Sequence, residues 1–199
     1  MTQTAGSSVT MPTGCVFTRT AGVGGSVTDY AGNHGDISPG ATGSLNDFYH
    51  ASRGTGVLIT SRPICDTVNT STGPIPNLVV DWYDKIRLRD VVDGLSNTVL
   101  VGERHVHKSR LLISPNDEPM FDGTNFYSMS RVAGPGMRLA KSSSDEVEGM
   151  AIMAFGSWHS QRVNFAFTDG RVQSLSTSTS EDVLGNLMHR NDGQVAGNF

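Results

Sequence analysis

Two Asp-Gly turn signals, each set in a longer motif, constrain this chain more than any other feature. Asp93 to Glu103 reads DGLSNTVLVGE, and His159 to Gly170 reads HSQRVNFAFTDG. In the second motif Val163, Phe165 and Phe167 alternate with Asn164, Ala166 and Thr168, and the strand pattern resumes at Val172 after Asp169-Gly170. A period of two on either side of a turn dipeptide predicts a β-hairpin with one apolar face. Asp-Gly readily takes the two positive φ values of a tight primed turn, so a turn of that type is expected here.

The rest of the chain is read around this hairpin. Only 17% of the residues are charged and 23 are Gly, which disfavours long charged helices and favours a loop-rich β protein. With 199 residues, 37% of them hydrophobic, the chain can bury one core, and no linker divides it. The expected organisation is a flexible segment over 1–14, rich in Ser, Thr and Gly, followed by one β-rich globular domain over 15–199. A net charge of −4 offers no basic footprint for nucleic acid, so no such partner is expected.

Strands are predicted at Gly56 to Thr60, Val99 to Val101 and Leu111 to Ile113, while Cys65 to Asn77 reads as a loop and Leu78 to Tyr83 as either a strand or the approach to one. Ile86, Leu88, Val91 and Val92 fit one or two helical turns ended by Asp93-Gly94. Ser114 to Gly149 reads as a long surface insertion, and Met150 to Phe155 resumes the core. Ser180 is placed to cap a helix running to about His189, with Glu181 and Asp182 in the first turn. The fold class is therefore α+β, a mostly antiparallel sheet with a few short helices.

At this point the chain resembles a family of bacterial prepilin-type proteins with a C-terminal motif of His, nine residues, then Asp-Gly. His159 and Asp169-Gly170 have that spacing, and Asp93, Gly94, Ser96, Asn97, Thr98, Gly102 and Glu103 match the family's upstream motif. Thr28 to Gly35 (TDYAGNHG) is similar to a third family segment, and Glu181 to Phe199 to its closing helix and glycine-containing tail. The resemblance implies a pilin-like β-rich extracytoplasmic head, in the cell envelope or secreted, that works through contacts with other protein subunits or with copies of itself. Family members begin with a prepilin leader and a long hydrophobic helix, whereas this chain opens MTQTAGSSVTMPTG, without an apolar run of about 20 residues. It reads as the head without its stalk. A longer native product, a stalk-less member and a product whose membrane part was removed all fit.

Cys15 and Cys65 are too far apart in sequence for a compact metal knuckle or redox motif. They can close one disulfide if the head sits outside the cytoplasm, or stay as two thiols. His159 and Asp169 suggest a base and its orienting acid, but a strand length separates them, so the structural reading is favoured. On that reading Asp169 bonds its own turn and His159 fixes a loop beside Trp158, itself a core plug or a lid. A buried Glu103 would need a partner, from Arg104 or from the His159 loop. His105 and His107 would share a strand face as a weak chelate with no evident third ligand. Asp29, Asp36, Asp47, Asp117, Asp122 and Asp169 lie in loop-like stretches, but no EF-hand pattern is present, so calcium is only a secondary expectation and no cofactor is the primary one. No nucleophile elbow, P-loop or dinucleotide fingerprint occurs.

Three functional readings follow. The first is a non-enzymatic structural or assembly protein. The second is a surface binding module for glycan or peptide built on 114–149, with Phe121, Phe126 and Tyr127 exposed. The third is a hydrolase around His159, Glu103 and Asp169, which requires those side chains in one cleft.

Overall fold

A computed structural model of the chain describes residues 8–10, 14–18, 25–37, 54–59, 62–83, 85–113, 116–120, 126–194 and 196–197. Its strands are β1 (Ser8–Thr10), β2 (Val16–Thr18), β3 (Tyr30–Gly35), β4 (Pro63–Thr70), β5 (Gly73–Trp82), β6 (Val99–Glu103), β7 (Ser130–Val132), β8 (Arg162–Phe167) and β9 (Val172–Ser176). The α-helices are α1 (Phe126–Met129) and α2 (Glu181–Met188). The main sheet has five strands in the order β7-β3-β6-β8-β9, antiparallel except for the β3–β7 pair. β1 pairs with β2 and β4 with β5 in two separate two-stranded sheets. The α+β class holds, with sheet predominating over short helices.

β8 and β9 form the hairpin that the alternation demands, with Val163, Phe165 and Phe167 buried on one face. The turn differs from expectation. Gly170 has φ +90° whereas Asp169 stays at negative φ. Gly170 N–H donates to Phe167 C=O (2.9 Å) and Phe167 N–H to Arg171 C=O (2.8 Å). This is a three-residue loop with a glycine bulge, the form in which a single left-handed residue matches the strand twist.

The hairpin face packs under α2. Ser180 caps the helix by accepting from Val183 N–H, and Leu184, Leu187 and Met188, at spacings of three and four, are fully buried against Phe155, Phe165, Phe167 and Leu175. Burial of such side chains is the main stabilising term, on the order of 2 kcal/mol each. Gly102 in β6 is required by this packing. A Cβ there would stand 2.4 Å from the Phe165 ring, which meets Phe155 edge-on with centroids 5.3 Å apart. Asn33 of β3 ties the layers together from a fully buried position. Its amide donates to Val99 C=O (2.8 Å) and Met188 C=O (2.9 Å), and its carbonyl accepts from Gly35 N–H (2.8 Å).

Several local expectations are corrected. Gly56 to Ile59 is a bend along the β3 edge, not a strand, with Gly56 N–H on His34 C=O and Leu58 N–H on Asn33 C=O; Thr60 lies outside the described residues. Cys65 to Asn77 is not a loop: it supplies most of β4 and the start of β5. Both faces of that ribbon are largely exposed, so no burial period marked Cys65 to Asn77 in the sequence, while the stretch from Leu78 forms the rest of β5 as expected. Leu111 to Ile113 is an exposed turn. The helix expected near 84–92 shrinks to one 3-10 turn, Leu88–Asp90. The stretch 114–149 is no surface insertion, because β7, Met137, Leu139, Ala140 and Val147 are buried and most of them seed a second apolar cluster with Met153 and Ala154. Ser8–Thr10, inside the expected flexible segment, is a strand.

Candidate functional site

The upstream motif closes on itself first. Gly94 takes φ +102° and its carbonyl accepts from Asn97 N–H (3.0 Å) and Thr98 Oγ1 (3.1 Å), while Asn97 Nδ2 donates to Asp93 C=O (3.0 Å). The preformed loop then receives the hairpin turn. Thr98 C=O accepts from both Thr168 N–H (2.9 Å) and Thr168 Oγ1 (2.8 Å), Leu95 C=O from Asp169 N–H (3.1 Å), and Ser96 C=O from the Arg171 guanidinium (2.6 Å). Arg171 also lies over the Phe167 ring at 4.2 Å. Asp169 caps its own turn by accepting from Arg171 N–H (2.9 Å).

The buried Asp93 carboxylate accepts from Asp192 N–H (2.9 Å) and Gly193 N–H (2.8 Å), and so anchors the tail beyond α2. Where loop, turn and tail meet, an open cleft of about 400 Å³ is lined by Ser96, Asn97, Asp169, Arg171, Gln173, Ala196 and Gly197. Its polar lining can hydrogen-bond a small polar group. The motif residues Asp93, Gly94, Ser96, Asn97, Thr98, Asp169 and Gly170 thus gather at one end of the interior strands β6 and β8.

Glu103, Gly102 and His159 lie towards the other end of the same two strands. Glu103 is buried at the end of β6, and its carboxylate accepts from Asn164 N–H (2.6 Å). His159, with a side chain 76% exposed, brings Nε2 to 3.8 Å from Glu103 Oε1. The partners of Glu103 are therefore Asn164 and the His159 loop. Arg104 turns instead to Asp117, in an ion pair whose two side chains are almost wholly buried. Asp169 sits beyond the opposite end of β8 from His159, roughly 20 Å along an extended strand. The three side chains that a hydrolase would need do not share a cleft. Trp158 is no core plug: it is half exposed and donates Nε1–H to Val106 C=O (3.1 Å).

His105 and His107 do not share a strand face, because β6 has already ended at Glu103. His105 is fully buried with Nε2 on Asp145 C=O (2.8 Å), and burial holds its pKa below the usual 6.5. His107 caps the following 3-10 turn and lies 3.6 Å from Glu146. Asp145 pairs with Arg138 through two bonds (2.7 and 2.9 Å), and that pairing, with amide bonds from Val147 and Lys141, holds its carboxyl well below the usual range.

Asp36 receives Thr55 Oγ1, Asp117 is paired with Arg104, and Asp169 closes its own turn, while Asp47 and Asp122 lie outside the described residues. Tyr127 is half-buried against the second apolar cluster, and Phe121 lies outside the described residues, as does the side chain of Phe126. Cys15 and Cys65 are joined in a disulfide with Cα atoms 5.4 Å apart. The roles of Asn33, Arg171, His189 and Asp192 were not evident in the sequence. Only the glycine-punctuated tail after a capped helix hinted that residues beyond 188 do more than fray.

Among the described residues no helix is long and apolar enough to cross a membrane. The fold and the paired turn motifs define an α+β protein, built on a five-stranded main sheet, whose signatures build its frame. The chain belongs to the family described as protein of unknown function (DUF1559), whose model matches residues 16–182. No curated protein and no solved structure matches it.

Proposed function

We propose that the chain is an extracytoplasmic structural protein, a prepilin-type head that acts through contacts between protein subunits, and that its contact surface is the β4–β5 ribbon. The observation that carries this reading is an apolar row on a ribbon whose strands, among the described residues, pair only with each other. Leu78, Val80 and Trp82 alternate along β5 and are 42%, 49% and 46% exposed, with Ile75 at 44% and Tyr83 at 47% beside them. Apolar side chains in such a group, left in water on a sparsely charged ribbon, favour a protein partner over a polar ligand.

Pro74 and Pro76 lack N–H donors and Asn77 turns to φ +56°, so the edge of β5 is poorly suited to strand addition. The face is the contact, and the partner is a second copy of the chain. The disulfide between Cys15 and the ribbon's Cys65 supports an oxidising compartment. The motifs support a non-enzymatic role, since their polar groups are mostly bonded to backbone.

A photo-crosslinking residue at position 80 is expected to give a covalent species of twice the chain mass in intact cells. Val80→Asp is expected to abolish concentration-dependent sedimentation while the circular dichroism stays unchanged. A chain that sediments as a monomer at every concentration and forms no crosslinked dimer refutes the reading. The second reading, a surface binding module, is favoured by the polar cleft at Ser96, Asn97 and Asp169 rather than by 114–149, much of which is core.

A further inference from the structure

We propose that Asp93, His189 and Asp192 form a binding site for a divalent transition-metal ion of the zinc type, which clips the C-terminal tail to the upstream motif loop. The three come from different places: Asp93 from the Asp-Gly loop, His189 from the C-cap of α2, and Asp192 from the tail. Their ligand atoms all lie within 4.8 Å of one another. Donors on a single zinc ion, each about 2.0–2.2 Å from it, are roughly 3–4 Å apart, so side-chain adjustments of about 1 Å would close the shell.

The site is preorganised and negatively charged. Asp93 is 7% exposed, and the amides of Asp192 and Gly193 hold its carboxylate in place while leaving each oxygen a second lone pair. Asp192 accepts from Gln194 N–H through one oxygen and has the other available. Among the described residues, neither carboxylate has a cationic side-chain partner. Arg190, the nearest arginine in sequence, directs its guanidinium to the carbonyls of Gly54 and Gly56 (2.7 and 2.8 Å). The negative end of the α2 dipole adds to the same potential. Two carboxylates and their neighbouring helix end thus surround an imidazole, and among the described residues no cationic side chain pairs with them.

The donor set selects the ion. One imidazole and two carboxylates, completed by water, suit zinc or its first-row neighbours, whereas calcium calls for six to eight oxygen ligands. The competing interaction is weak. His189 Nδ1 accepts from Asn191 N–H at 3.3 Å, and metal binding through either ring nitrogen would give up only that long bond.

The test is calorimetric titration of Zn²⁺ into the chelator-treated full chain. One ion per chain is expected, with His189→Gln and Asp192→Asn each weakening binding at least tenfold while circular dichroism stays unchanged. Both of these side chains lie towards the surface, so folding is not at stake as it would be for Asp93. His107→Gln should bind as the parent does. Absence of one-to-one binding, binding lost in His107→Gln but kept in His189→Gln, or Ca²⁺ binding as tightly as Zn²⁺ would each overturn the assignment.

Discussion

Replacing Asn33 with Ala should be among the most damaging single changes in the chain. The side chain is fully buried and makes three hydrogen bonds, to Val99 C=O, Met188 C=O and Gly35 N–H. A neutral buried bond contributes about 1 kcal/mol net, and each partner left without a bond costs about 1–3 kcal/mol. Met188 C=O is the sharpest case, because a last-turn helix carbonyl has no partner within its own helix. The expected loss is therefore about 3–6 kcal/mol, which for a domain of this size lowers Tm by roughly 6–24 °C. Urea unfolding followed by far-ultraviolet circular dichroism would measure it, with an unchanged m-value indicating a loss of stability and not of compactness. Asn33→Asp is the informative companion, since it keeps the acceptor for Gly35 but removes both donors, and it should recover little. A loss below about 1 kcal/mol for Asn33→Ala would show that the three partners find other bonds and that Asn33 does not join the layers.

Two further outcomes are expected. Gly102→Ala places a Cβ 2.4 Å from the Phe165 ring and 2.9 Å from that of Phe155, so it should destabilise by about 1–3 kcal/mol in the same assay, with part of the loss recovered by Phe165→Leu. Acid should unfold the protein in two stages visible as Tm against pH. His105 has a folded pKa below 6.5, so its contribution is complete above that value and is lost as pH falls below it, a limb that His105→Gln should flatten. Asp145, held below its ordinary 3.8 by Arg138, contributes fully above 3.8 and fails as pH falls further, a limb that Asp145→Asn should remove.

The parts of the fold that were legible beforehand are those with a local code. The alternation from Val163 to Phe167 gave away the hairpin face, and Ser180 with Glu181 and Asp182 marked the start of α2, because caps and periods act within one turn or strand. Even there the turn type escaped, since Asp-Gly serves both a primed turn and a glycine bulge, and the strand register chooses between them. Of the β4–β5 ribbon only Leu78 to Tyr83 was legible as a strand, whereas Cys65 to Asn77 was missed because its Thr, Asn and Pro residues carry no apolar period. The stretch 114–149 misled because its glycines, prolines and short polar runs hide buried positions such as Met137 and Leu139, which are held by irregular backbone.

Of the candidate site, the sequence by itself determined which residues carry the two Asp-Gly motifs, and hence the family and the α+β class. It also left the disulfide open, a question decided by a Cα separation of 5.4 Å across 50 residues of sequence. Only the tertiary structure decided that the two motifs bond each other through Thr98 and Thr168, that Asp93 holds the tail and sits beside His189 and Asp192, and that Asp169 stands far from His159. Turns and alternation follow from the stereochemistry of neighbouring residues and are written locally. Which distant segments meet depends on burying one shared apolar face while every enclosed polar group finds a partner, a condition that exists only once the chain has folded.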